Sequence, residues 1–83
     1  MCTFLANIKV TGIEHDAMTD LREQEFYVMK QYEASGNLLA FYVRKDLSGA
    51  FLVFSADDLA HFNVLMNGLP MFPYMTVEAV ELI

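Results

Sequence analysis

The stretch LLAFYVRKDLSGAFLVFS, residues 38–55, decides the fold. Two apolar runs, LLAFYVR (38–44) and AFLVFS (50–55), flank the polar loop KDLSG. β-Branched and aromatic residues on either side of a short, Gly-containing loop mark a hairpin. A sheet with one wet face should alternate apolar and polar residues. LLAFYV and AFLVF do not alternate, being apolar on both sides. Both faces of this hairpin therefore need cover.

Working outward, SGN (35–37) ends an upstream helix, with Gly36 as the left-handed residue after the last turn. Residues 17–35 carry Met18, Leu21, Val28, Met29 and Tyr32 at helical spacing. TGIEHD (11–16) reads as the loop before that helix, with Asp16 as its N-cap. TFLANIKV (3–10) alternates: Phe4, Ala6, Ile8 and Val10 on one side, Leu5, Asn7 and Lys9 on the other, which is a strand. Downstream, Ser55 reads as the cap of a second helix, with Asp58 at capping-box spacing. Leu59, Phe62 and Met66 form its stripe and Gly68 ends it. In NGLPMFPYMTVE (67–78), Pro73 is expected to hold Phe72 extended and to open a last strand, YMTVEAVEL (74–82).

The order β-α-β-β-α-β is the ferredoxin-like split βαβ pattern of an α+β fold, with two helices on one face of four antiparallel strands. Eighty-three residues suffice for one domain, spanning 1–83. The simplest cover for the second sheet face is another subunit, sheet against sheet. That predicts a homodimer or higher homo-oligomer of the dimeric α/β barrel type. Composition agrees: 55% of residues are apolar and 19% charged, against about 45–50% and about 25% in an average chain.

A net charge of −6 argues against nucleic acid and anionic membrane as partners. No apolar run reaches the roughly 18 residues of a spanning helix. The lone cysteine, Cys2, forms no internal disulfide, and no zinc spacing is present. No signal-peptide pattern is visible, and a reducing, cytoplasmic setting is expected.

LMNGLPMFPYMTVEAVEL (65–82) resembles the C-terminal signature of the muconolactone isomerase family, which runs Leu-Pro-(apolar)-Phe-Pro-(aromatic)-Met. Here those residues are Leu69, Pro70, Met71, Phe72, Pro73, Tyr74 and Met75. A weaker likeness extends over nearly the whole chain. The resemblance implies a dimeric α/β barrel that moves a proton within an unsaturated lactone, in aromatic-compound breakdown, with no metal or organic cofactor. It also implies a glutamate eleven residues before the helix-ending glycine, which is Glu25. The family carries a Trp-Arg pair at the end of the second strand. This chain has Tyr42-Val43 and then Arg44, so Val43 occupies the arginine's place unless a bulge brings Arg44 round. Leu39 and Ala40 replace polar residues of the same strand, giving a more apolar pocket and arguing against muconolactone itself as substrate.

The residues themselves also single out Glu25. It lies four after Leu21 and four before Met29, in the middle of the first helix's apolar stripe. A buried carboxylate has a raised pKa and suits general acid–base work near neutral pH. It can equally snorkel, or pair with Lys9 or Arg44. Asn7, Tyr42, Arg44 and Tyr74 are candidate substrate-binding groups, with structural hydrogen bonds as the alternative for each. His15 in a loop and His61 off its helix stripe read as solvated, and Cys2 lacks an evident base.

The expected function is cofactor-free proton transfer on a small apolar, cyclic, unsaturated carbonyl or lactone compound. Glu25 shuttles the proton, and Tyr42, Arg44 or Asn7 steadies the oxygen. A cofactor-independent monooxygenase or cyclase on an aromatic polyketide-like substrate is the alternative. A non-catalytic ligand-binding or assembly protein is a third reading.

Overall fold

Alternation in residues 2–10 makes β1 (Cys2–Val10) the central strand, because it can bury Phe4, Ala6 and Ile8 while pairing on both edges. The computed structural model of the protein describes residues 1–12 and 15–83, with side chains for all of these except 15–18. After β1 come α1 (His15–Ala34), β2 (Leu38–Val43), β3 (Gly49–Ala56), α2 (Leu59–Asn67) and β4 (Met75–Leu82). Because α1 starts at His15, Asp16 lies inside the helix rather than at its expected N-cap, and His15 is not in the loop. The side chains of His15, Asp16 and Met18, and with them the expected solvated histidine and stripe position, lie outside the described residues. The strands run antiparallel in the order β2-β3-β1-β4. This is the α+β, ferredoxin-like arrangement expected from the sequence.

Register makes the helix-facing side continuous. Phe4 stands opposite Phe54, Ala6 opposite Leu52, and Ile8 opposite Ala50. Phe62 of α2 stacks on Phe4 at 4.8 Å between ring centroids and meets Phe54 edge-on at 5.6 Å. Tyr32 of α1 approaches Phe54 edge-on at 6.2 Å. These rings tie both helices to the two central strands. The opposite side carries Leu5, Phe51, Val53, Tyr42 and Val80 by the same alternation.

Helix ends follow local chemistry. Gly36 takes φ 84°, as the left-handed position after α1 requires. Gly68 instead stays right-handed at φ −76° and donates its N–H back into α2. Its lack of a Cβ has another reason: the Tyr32 hydroxyl, bonded to the Leu65 carbonyl at 2.8 Å, fills the space a Cβ would take.

Several local expectations are corrected. Ser55 does not cap α2. It belongs to β3, opposite Thr3, and its N–H donates to the Asn37 carbonyl at 2.7 Å. Asp58 is the N-cap itself, its carboxylate accepting from the His61 N–H at 2.8 Å. The helix then starts at Leu59, which is 56% exposed, and the buried stripe is Phe62, Leu65 and Met66. Pro73 does not open β4. Phe72–Tyr74 forms a 3-10 turn, with the proline in its first turn, where a missing N–H costs little. Phe72 is thereby helical rather than extended, its N–H bonded to the Leu69 carbonyl at 3.0 Å. His61, read as solvated, is half-buried, and its Nδ1 accepts from the Asp57 N–H at 3.0 Å.

Candidate functional site

α1 crosses the sheet without filling the space above the β2–β3 hairpin. A cavity of about 390 Å³ remains there. Ile8 and Leu52 form its floor, Phe26 and Met29 its helical wall, and Met71 and Met75 one end. Val43 and Leu47 border the hairpin side. Phe26 and Phe41 meet edge-on at 6.3 Å, each partly exposed, beside the opening. Leu47 adopts φ 63°, a conformation that disfavours a branched side chain. Its N–H bond to the Arg44 carbonyl at 2.9 Å helps hold the turn.

Glu25 projects from the middle of α1 into this apolar space and is only 7% exposed. Its Oε1 accepts from the Met71 N–H at 3.2 Å. Burial pushes the Glu25 carboxyl above the usual carboxylate range, and the Met71 N–H draws it partly back. Burial and the nearby Glu25 carboxylate also push the Tyr32 phenol up, so Tyr32 stays a neutral donor to Leu65. Such a carboxyl can hold a proton at one moment and take one at the next.

The raised value links to stability. The folded protein holds the Glu25 proton more tightly than the unfolded chain, whose value lies near 4.5. Stability therefore falls as pH rises from there through the folded value. Glu25→Gln lacks that fall. Urea midpoints of both proteins across pH should show the variant gaining on the wild type as pH rises through this window. A constant difference would mean that Glu25 titrates like an exposed carboxylate.

Among the described residues, no three His, Cys, Asp or Glu side chains gather closely enough to hold a metal ion. No helix among them is long and apolar enough to cross a membrane.

The family model for muconolactone delta-isomerase matches residues 2–82. The chain belongs to the muconolactone delta-isomerase family. Two solved structures share its fold. A muconolactone isomerase is 19% identical, with a TM-score of 0.82 over 96% of this chain and 86% of that one. The 5-chloro-2-hydroxyhydroquinone dehydrochlorinase of Burkholderia phenoliruptrix, in complex with 2,5-dihydroxybenzoquinone, is 13% identical. Its TM-score is 0.78 over 94% of this chain and 90% of that one. No curated protein matches the chain in sequence.

Of the residues singled out in this muconolactone delta-isomerase-family sequence, Glu25 alone lines the cavity. Asn7, Tyr42 and Arg44 sit on the opposite side of the sheet. Arg44 Nη2 donates to Asn7 Oδ1 at 2.9 Å, and its guanidinium lies 4.9 Å over the Phe51 ring. Tyr42 stands opposite Phe51 in the β2–β3 register. Tyr74 ends the 3-10 turn outside the cavity lining, its carbonyl accepting from the Thr11 N–H at 2.9 Å. A bulge is present in β2, between Leu38 and Ala40, but it turns Arg44 away from the cavity. With one extra residue, Phe41 and Val43 face the helices and Tyr42 and Arg44 face away. Cys2 Sγ lies 3.7 Å from the Asp57 carbonyl, remote from the cavity lining. Arg22, not among the expected site residues, does line the cavity. Its signal was available: it stands three residues before Glu25 on the same helix.

Proposed function

We propose that the protein is a cofactor-independent isomerase-type enzyme that moves a proton within a small unsaturated cyclic carbonyl or lactone compound. The observation that carries this reading is the Glu25 carboxyl, buried in the wall of a mainly apolar cavity with its proton affinity raised. Glu25 removes a proton beside the carbonyl, exchanges it with solvent, and delivers a proton further along the conjugated system. The reaction moves a proton and shifts a double bond, so it calls for no electron acceptor. Membership of the muconolactone delta-isomerase family supports the class of chemistry. The apolar β2 wall, with Val43 where the family's arginine is expected, supports a less polar substrate than muconolactone. Incubation with candidate unsaturated lactones in deuterated water tests the reading. The enzyme should exchange deuterium into the ring carbons that flank the double bond, read by proton NMR. Absence of exchange across such a panel would overturn it.

The working protein is proposed to be a cytoplasmic homodimer or larger homo-oligomer, with the apolar face that carries Leu5, Phe51 and Val53 set against its counterpart. One observation favours a second reading. The cavity of about 390 Å³ exceeds the roughly 150 Å³ that holds a benzene molecule. It leaves room for two fused rings, as a cofactor-free monooxygenase or cyclase on an aromatic substrate would need. Oxygen consumption with such a substrate separates an oxygenase from an isomerase.

A further inference from the structure

We infer that Arg22 holds the anionic oxygen of the ring compound bound in the cavity, next to the carbon on which Glu25 acts. The inference deepens the proton-transfer reading and rests on it for the reaction step, though not for the binding site.

Removing a proton beside a carbonyl leaves the substrate's oxygen negatively charged. In an apolar cavity that charge has little water to solvate it, so a positioned donor must take water's place. The donors expected from the sequence are on the wrong side of the sheet. Arg44 is bonded to Asn7, and Tyr42 faces the same way. The Met71 N–H inside the cavity is already engaged by Glu25. Among the described residues that line the cavity, Arg22 and Glu25 alone carry charged side chains.

Helix geometry supplies the spacing. Residues three apart project to one face, with Cβ atoms about 5–6 Å apart. That span suits a carboxylate at a ring carbon and a guanidinium at the carbonyl oxygen two bonds away. Arginine stays protonated at any working pH, and its several N–H groups tolerate small differences in ring position. The step then balances. The Glu25 carboxylate takes the proton from the carbon beside the carbonyl. The C–H pair becomes a double bond, and the carbonyl π pair settles on the oxygen facing Arg22. Collapse of this enolate draws a proton from the Glu25 carboxyl, which exchanges with solvent between the two steps, onto the far end of the conjugated system, and the double bond ends displaced. The substrate class is an unsaturated ring carbonyl whose oxygen lies two bonds from the acidic carbon.

The test uses 4-nitrophenolate, which carries an anionic oxygen on a ring and reports its own ionisation by visible absorption. Nitrobenzene serves as its uncharged counterpart. The wild type should bind the phenolate at least about tenfold more tightly than Arg22→Met, because a charge-assisted hydrogen bond is lost. Arg22→Lys should fall between them. Both Arg22 variants should bind nitrobenzene as the wild type does, which checks that the cavity is intact. Glu25→Gln should keep the phenolate, since removing a carboxylate relieves repulsion. Equal phenolate binding by wild type and Arg22→Met would overturn the inference, as would a wild type that binds nitrobenzene as tightly as phenolate. If the phenolate preference holds while no lactone exchanges deuterium, the proton-transfer reading fails and the Arg22 site stands.

Discussion

Glu25→Gln is expected to lower turnover of an unsaturated ring carbonyl by about 10²- to 10⁴-fold, the usual contribution of a positioned acid–base group. The substitution is nearly isosteric. The Gln carbonyl oxygen can still accept from the Met71 N–H, as Glu25 Oε1 does at 3.2 Å. What disappears is the ability to carry a proton. Because the native carboxyl is buried with its proton affinity raised, the variant should fold at least as stably as the wild type at neutral pH. Steady-state kinetics beside a thermal melt check both halves. Turnover within a factor of three of wild type would remove Glu25 from the mechanism. A collapse of the melt would show its role to be structural.

The largest stability effect should come from Phe62→Ala. Phe62 is 1% exposed and contacts Phe4 and Phe54, one ring from each central strand. Truncating a buried Phe costs about 3–5 kcal/mol through lost burial and the cavity left behind. At the usual stability per residue, a chain of 83 residues has about 4–12 kcal/mol in all. The variant should lose a large share of its stability, read as a drop in urea midpoint with little change in slope. Phe62→Leu should lose far less, because it refills most of the space. A cost below about 1 kcal/mol for Phe62→Ala would mean that α2 is anchored elsewhere.

The architecture was legible because two periods write it directly. β1 alternates at period two from Phe4 to Ile8, and α1 carries Val28, Met29 and Tyr32 at helical spacing up to Gly36. The β2–β3 hairpin announced itself by polar residues between two apolar runs. Helix starts were harder. Ser55 and Asp58 are both good caps, and only pairing of β3 with β1 as far as Ala56 decides for Asp58. Pro73 misled for a similar reason. Proline suits the first residue of a strand and the first turn of a helix alike, and the Leu69 and Met71 carbonyls select the turn. Glu25 was legible as a charged residue inside a stripe. Arg22 stands three residues before it on the same helix but reads by default as a solvated cation, because a cation beside a stripe usually reaches for solvent.

Leu39, the extra residue of β2, has a consequence beyond a local kink. Strands present successive residues to opposite faces, so bulging Leu39 out rather than taking it into the ladder exchanges the two faces for everything after it. Were Leu39 taken into the ladder opposite Val53 instead of bulging out, Tyr42 and Arg44 would come to the cavity side and Val43 to the far side. The bulge therefore works as a selector between two wall compositions already encoded in YVR. A related chain could pass from a basic, phenolic pocket to an aliphatic one by gaining or losing this bulge, with every residue of the wall itself left unchanged.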